Sequence, residues 1–264
     1  MGCGVVGFCG SCLRLLGLIR DLFFSDPLVH VYLFYDIAYE VGRVDVWFKV
    51  CGNSIRAYLL TWKGPSVCGI HIWGDGEDLI KYLKPCNRSV IHLYSEGLIE
   101  SVMSKLSSEG FKCELKYFYT MEVNESNFKP FKPELARRLG IGDLSQFLKI
   151  KEVQGRSVST DVANELLSKL RYYGVFVDSE LVSFACAYLR TPVIWVVGDV
   201  FTHPDYRGRG FGKVVASAIT RDAVLSGAKS ILHVEVGNEV AIRLYEKLGY
   251  VIKRKYPWIF VSKG

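Results

Sequence analysis

The chain has 264 residues, half of them hydrophobic and 13% aromatic, which allows one large or two small folding units and excludes a disordered or nucleic-acid-coating chain. Lys and Arg number 33 against 27 Asp and Glu, and the resulting charge of +6 suits an anionic small ligand better than duplex DNA, leaving nucleic acid a secondary reading. Eight cysteines spread over this length do not make the dense framework of a small secreted domain.

The N-terminal stretch MGCGVVGFCGSCLRLLGLIRDLFF lacks the basic leading region of an export signal, and Arg14, Arg20 and Asp21 interrupt its apolar run. Leu15, Leu16, Ile19, Leu22 and Phe23 fall at helical spacing, so the stretch reads as an amphipathic helix stopped by Ser25 to Pro27. Val6 leaves the myristoylation pattern incomplete, and no segment has the length and apolarity of a membrane span, so the expected location is the cytoplasm. Cys9 and Cys12 form a CxxC without a second pair at similar spacing, while Cys51, Cys68, Cys86 and Cys113 stand singly. No metal is expected there; the N-terminal cysteines read as small apolar residues at a helix start, with a disulfide left open.

Val44 to Val50 and Ile55 to Trp62 flank Gly52-Asn53 as a hairpin, followed by strand-like Cys68 to Trp73 and Ser89 to Tyr94. A helix over Gly97 to Leu106, closed by Gly110, precedes the strand Phe111 to Val123. Asn124 to Glu134, NESNFKPFKPE, holds two prolines and no period, which sets a boundary between residues 1–127 and 128–264. Beyond it the pattern predicts helices over Leu144 to Val153 and Val162 to Tyr172, a hairpin over Val175 to Leu189 turning at Asp178-Ser179-Glu180, and a strongly apolar strand Val193 to Thr202. A helix from about Gly210 to Ser226, a strand Ser230 to Val236, a helix Glu239 to Leu248 and a strand Tyr250 to Val261 complete a mixed α/β order with a crossover.

The crossover begins with HPDYRGRGFGKV, in which Gly208, Gly210 and Gly212 alternate with Arg207, Arg209, Phe211 and Lys213. Backbone without side chains can point several N–H groups at one place, the helix that follows adds its unpaired N–H groups and positive dipole end, and the three cations reach outward; together they suit a diphosphate. A Walker loop needs a glycine where Arg207 stands and Ser or Thr where Val214 stands, and a dinucleotide loop has its third glycine one residue later. His203-Pro204 reads as the terminator of the preceding strand, and Lys253, Arg254 and Lys255 as a solvated run or a steering patch.

Arg207, Gly210 and Gly212 fill R-x-x-G-x-G, and Asn238, Ala241, Leu244, Tyr245, Leu248, Gly249 and Tyr250 spell N-x-x-A-x-x-L-Y-x-x-L-G-Y. Two patterns in this order resemble the GCN5-related N-acetyltransferase (GNAT) superfamily over about Phe176 to Val261. The resemblance implies tandem GNAT-like lobes, each a mostly antiparallel mixed sheet flanked by helices. Residues 1–127 would be a degenerate lobe and 128–264 the catalytic one. In the first lobe CGIHIW runs into GDGEDL, where Asp75, Glu77 and Asp78 stand where an anion needs donors, so a duplicated unit would have lost its phosphate site there.

The resemblance further implies acetyl-CoA as co-substrate, lying in a wedge where the strand ending at Thr202 leaves the strand Ser230 to Val236. Its diphosphate would rest on Arg207 to Gly212, and its pantetheine arm and thioester on backbone groups of Val200, Phe201 and Thr202, with Asn238 a further holder. Acyl transfer to a primary amine needs a base, an oxyanion site and an acid for the departing thiolate. Tyr245, two helical turns after Asn238 and roughly 10 Å along the axis, is the expected acid, the alternative being a packed aromatic. His233 shares a strand face with Glu235 and is the expected base, directly or through water, against an ordinary hydrogen-bonded histidine. Asp199 is the alternative base, or a partner for Arg190. A non-catalytic acyl-CoA-binding protein is the rival reading. The acceptor stays open among free amino acids, polyamines and protein N-termini, as does the oligomeric state.

Overall fold

A computed structural model describes residues 3–8 and 13–263, so Cys9 and Cys12 lie outside the described residues. By compactness the chain divides into unit 1, Met1–Tyr119 with Arg254–Gly264, and unit 2, Thr120–Lys253. The break at 119/120 falls ahead of the 127/128 expected from the proline-rich stretch, and the last residues return to the first unit.

Unit 1 opens with β1 (Cys3–Gly7), where no strand is expected, then α1 (Leu13–Ser25). Ile19 and Phe23 are buried along the face that spacing marks as apolar. Asp26-Pro27 stops α1 and at once starts α2 (Pro27–Tyr39), because proline is pre-set for a first helical turn. The hairpin β2 (Val44–Cys51) and β3 (Ser54–Lys63) turns at Gly52 with φ 59°. Next come β4 (Cys68–Gly74), β5 (Arg88–Leu93), α3 (Ile99–Ser108) and β6 (Phe111–Val123), of which residues to Tyr119 belong here.

Pairing is antiparallel for β1–β2, β2–β3 and β3–β4 and parallel for β4–β5. The final strand β12 (Val251–Lys263) lies antiparallel against β5 from Trp258↔His92 to Ser262↔Arg88. Val102 and Leu106 of α3 join Ile70, Ile72, Ile91, Leu93 and Ile259 in one core, and burying each such side chain contributes about 1.5–3 kcal/mol. Disulfides join Cys3 to Cys51 and Cys68 to Cys86. Cys3 is therefore an edge-strand cross-link rather than a small residue at a helix start.

In unit 2, β7 (Arg137–Arg138), α4 (Leu144–Val153) and α5 (Thr160–Lys169) lead to the hairpin β8 (Arg171–Val177) and β9 (Glu180–Arg190). The second helix ends before the expected Tyr172, which already belongs to β8. Asp178 and Ser179 carry φ of 47° and 68°, the double left-handed turn that matches strand twist. Then follow β10 (Ile194–Thr202), α6 (Phe211–Leu225), β11 (Lys229–Glu235) and α7 (Glu239–Lys247).

β8–β9 and β9–β10 are antiparallel, and β10–β11 is parallel. Alternation along β9 sends Val182, Ala185 and Ala187 toward Val215, Ala218 and Ile219 of α6. It sends Leu181, Phe184 and Cys186 toward Phe147 and Ile150 of α4 and Ala163 and Leu167 of α5. Each unit is thus a mixed, mostly antiparallel sheet with helices against it.

Candidate active site

The site begins where two strands separate. β10 and β11 pair from Ile194↔Lys229 to Val197↔Leu232, and pairing ends there although β10 runs on to Thr202 and β11 to Glu235. The cause is local to β10. Its register with β9 steps from Gly198↔Cys186 to Phe201↔Phe184, so Asp199 and Val200 together face one partner residue, and Asp199 has a left-handed φ of 51°. A bulge of this kind bends a strand and re-aims its backbone. The bulge comes directly after the last β10–β11 pair, and Val200, Phe201 and Thr202 beside it are partly buried.

At the end of β10 the chain turns through Pro204–Tyr206 into the glycine loop. Gly208 and Gly210 have φ of 78° and 83°, and Gly210 is the N-cap of α6. A Cβ on Gly212 would stand 3.2 Å from Thr202 Oγ1, so the bare position lets the helix start against the strand end. Thr202 Oγ1 is itself 2.9 Å from Ser183 Oγ. Among the described residues no acceptor takes the N–H groups of residues 208–213, and the dipole of α6 adds partial positive charge at the same end.

Three cations flank this backbone. Arg207 Nε donates to Thr202 O at 3.3 Å, the Arg209 guanidinium lies 5.1 Å from the centre of the Tyr206 ring, and Lys213 Nζ lies 3.4 Å from that of Phe131. Phe131 comes from the stretch expected to be linker. Its N–H donates to Ser217 Oγ of α6 at 2.8 Å, and Lys129 N–H donates to Leu248 O at 2.9 Å, so the stretch is packed against the helices around the loop. Arg207 to Lys213 therefore come together as a cationic cradle rich in N–H groups, the chemistry a diphosphate requires.

α7 reaches the same place. Leu244 Cδ1 would lie 3.6 Å from a Cβ on Gly212, and the next residue, Tyr245, is buried with its ring edge-on to Tyr250 at 5.7 Å. The Tyr250 hydroxyl is engaged by Thr220 Oγ1 at 2.8 Å and Ser230 Oγ at 2.6 Å, whereas that of Tyr245 makes no hydrogen bond among the described residues. Burial raises the pKa of both phenols, that of Tyr250 to about 12, so Tyr245 is protonated at every physiological pH. Asn238 Oδ1 accepts from Ala241 N at 3.1 Å and caps α7, which occupies the oxygen of the residue expected to hold the cofactor.

His233 follows Leu232 on β11, just past the last pair with β10. Its Nδ1 is 3.0 Å from Thr120 Oγ1, and burial lowers its pKa to about 4, so the imidazole is neutral near pH 7.

Asp199 is held on both oxygens. Oδ2 receives the Lys151 ammonium and the Tyr172 hydroxyl, at 3.2 Å for the latter. Oδ1 receives Gln154 Nε2 at 2.9 Å and Arg156 at 3.2 Å. Lys151, Gln154, Tyr172, Phe131 and Thr120 are not legible as site residues in the sequence. Lys151 in particular stands in a helix where a lysine ordinarily faces solvent.

Among the described residues no helix is long and apolar enough to cross a membrane. Residues 144–250 match the model of the Acetyltransferase (GNAT) family. A stretch of 67 residues is 40% identical to the mycothiol acetyltransferase of Corynebacterium aurimucosum, covering 25% of this chain and 22% of that protein, so the likeness spans under a quarter of the relative. Among solved structures, a Drosophila protein is similar over 99% of both chains, with a TM-score of 0.73 and 14% identity. A GCN5-related N-acetyltransferase from Sphaerobacter thermophilus follows at TM-score 0.64 and 15% identity, covering 98% of this chain and 95% of its own. A tandem GNAT protein from the clavulanic acid biosynthesis pathway has TM-score 0.62 at 11% identity, covering 100% and 99%. At such identities the likeness establishes the fold. Residues 144–250 of this chain, which hold the parallel strand pair, the glycine loop and α7, are the part that matches the GNAT acetyltransferase family.

Proposed function

We propose that unit 2 transfers the acetyl group of acetyl-CoA to a primary amine by direct attack in a ternary complex, and that unit 1 is a GNAT-like lobe without a phosphate site. The observation that carries this reading is the end of β10–β11 pairing at Val197↔Leu232, directly before the cationic N–H cradle. Arg207, Gly208, Arg209, Gly210, Phe211, Gly212 and Lys213 hold the diphosphate. Backbone groups of Val200, Phe201 and Thr202 hold the pantetheine arm and face the thioester, and Asn238 offers its amide nitrogen to the same ligand.

The acceptor must be neutral to attack. Neutral His233 takes a proton from the amine, directly or through a water, as nitrogen adds to the thioester carbonyl. Strand N–H groups near Val200 and Phe201 stabilise the oxyanion. Collapse breaks the C–S bond, and Tyr245 gives the leaving thiolate its proton. Burial raises the phenol and keeps it protonated, so its proton is in place when the thiolate leaves. Asp199, the alternative base, is already saturated with donors, which favours His233 as base.

Direct attack is favoured over an acyl-enzyme because Cys186, the cysteine of unit 2, is buried and burial pushes its thiol well above the usual range, leaving no thiolate to carry the acetyl group. A cytoplasmic site of action belongs to the same proposal.

The test is acetyl-CoA binding together with thiol release against amino acids, polyamines and N-terminal peptides. Turnover with one class and not the others is expected. Gly210→Val, which forces a branched side chain to φ 83° beside Phe131, should weaken acetyl-CoA binding on the order of 100-fold with the fold retained. Tight binding with no turnover on any amine would instead identify an acyl-CoA-binding protein.

A further inference from the structure

The wedge depends on a residue in an unfavourable backbone conformation. Asp199 is the extra residue of the β10 bulge at φ 51°, a conformation that side-chain-bearing residues seldom hold unless their surroundings enforce it. What enforces it here is a buried ion pair. Lys151 of α4 is 4% exposed, and its ammonium sits among the rings of Phe147, Tyr172 and Phe184, at 5.4, 5.8 and 4.7 Å from their centres. Its hydrogen bonds go to Asp199 Oδ2 and to Gln154 Oε1, the latter at 3.1 Å. Gln154 and Arg156 close over the other oxygen of the same carboxylate.

Taking a lysine and an aspartate out of water costs about as much as their attraction returns, and apolar replacements of similar shape are often neutral or stabilising. Stability therefore does not explain the pair. Geometry does: the carboxylate it immobilises belongs to the residue whose left-handed turn rotates the next peptide units of β10.

We infer that Lys151 is a positioning residue, acting through Asp199 to lock the β10 bulge so that the backbone N–H groups around Val200 point at the thioester carbonyl. This rests on the acetyl-transfer reading of the wedge. Lys151 touches no reacting atom. It sets the direction of donors that no side-chain substitution on β10 could remove, and it links α4 to the oxyanion site. Asp199 thereby serves as the anchor of the bulge and has no part in proton transfer.

The experiment compares wild type, Lys151→Met, Asp199→Asn and the double variant, which leaves no unpaired buried charge and so guards against a folding failure in either single change. Free CoA, which has no thioester carbonyl, should bind all four within about two-fold, while kcat falls about 10–100-fold in each variant, the scale expected for misdirected groups. The acid limb of the kcat/KM profile should keep its position, because His233 is untouched. Backbone hydrogen exchange across residues 199–202 should quicken in Lys151→Met, a readout independent of turnover.

A folded Lys151→Met protein with wild-type kcat and unchanged exchange would overturn the inference. So would loss of the acid limb in Asp199→Asn alone, which would make that carboxylate the base. If the wild type binds CoA but acetylates no amine, the acetyl-transfer reading fails and the catalytic purpose of the lock fails with it. Turnover by the wild type with unaffected variants would sink the lock alone.

Discussion

Each unit contains a parallel pair of strands, and the two pairs end differently. In unit 1, β4 and β5 stay in register from Cys68↔Ser89 to Ile72↔Leu93, and Tyr94 N–H extends the ladder to Ile72 O at 3.1 Å. The side chains along that pair are covered by rings from α2 and β12: Tyr32 stacks on His71 at 4.3 Å and Trp258 on His92 at 3.7 Å. In unit 2 pairing stops after Val197↔Leu232 and the strands separate. The loops after the first strand of each pair differ as well. Asp75 and Asp78 both hold Lys49, where unit 2 offers unsatisfied N–H groups and cations. The two parallel pairs thus differ in a single bulge and in the sign of charge on the turn that follows the first strand.

The proposed function puts all the chemistry in unit 2, and the sharpest way to break that reading is to remove one phenol oxygen from each unit. Tyr245→Phe should lower kcat about 10²–10⁴-fold with acetyl-CoA affinity nearly unchanged, whereas Tyr94→Phe should leave kcat within about two-fold. Comparable losses from both would return unit 1 to the mechanism.

Reductant probes the other side of the contrast. The described disulfides lie in unit 1, so dithiothreitol should destabilise that unit by about 2–4 kcal/mol per bridge and leave acetyl-CoA binding by unit 2 intact, as read by denaturant melts and calorimetry.

Acid should weaken both units over one window. Burial holds His30 and His233 at a pKa of about 4, below the ordinary 6.5, so stability is full above pH 6.5 and is lost as pH falls toward 4, by about 3 kcal/mol for each residue. Unit 1 has an opposite dependence besides. Burial, helped by Glu40, raises Asp36 from 3.8 to about 8, so its contribution is full below pH 3.8 and is lost progressively as pH rises to about 8, and Asp36→Asn should flatten a thermal-melt profile across that window. The smallest effect belongs to the acidic turn: Asp75→Asn with Asp78→Asn frees Lys49 at the surface and should alter neither melting nor acetyl-CoA affinity measurably.

What could be read in advance was whatever depends on near neighbours in the chain. The hairpin turns at Gly52 and at Asp178-Ser179, the strand β10, the glycine loop and the α7 pattern each carry their cause within a few residues. α2 escaped notice because its faces are nearly all apolar, which erases the helical period. The disulfide partners, 48 and 18 residues apart, meet only once the sheet has formed, Cys3 and Cys51 as a register pair. Lys151 was invisible for a similar reason: an ammonium among three rings makes sense only once a strand from 48 residues onward supplies its carboxylate.

The stretch NESNFKPFKPE misled in an instructive way. Proline and charge mark it as a connector, yet it lies in the crevice beside α6 and α7, and Gly249 is what makes room for it. With φ at 93°, a methyl group there would sit 1.9 Å from the Asn127 carbonyl oxygen. Any other residue at 249 must lift the strap, and lifting it would carry Phe131 out from under Lys213. A mutational survey scored on cofactor affinity should therefore light up at a glycine that no cofactor reaches, through a lever whose fulcrum is the missing methyl.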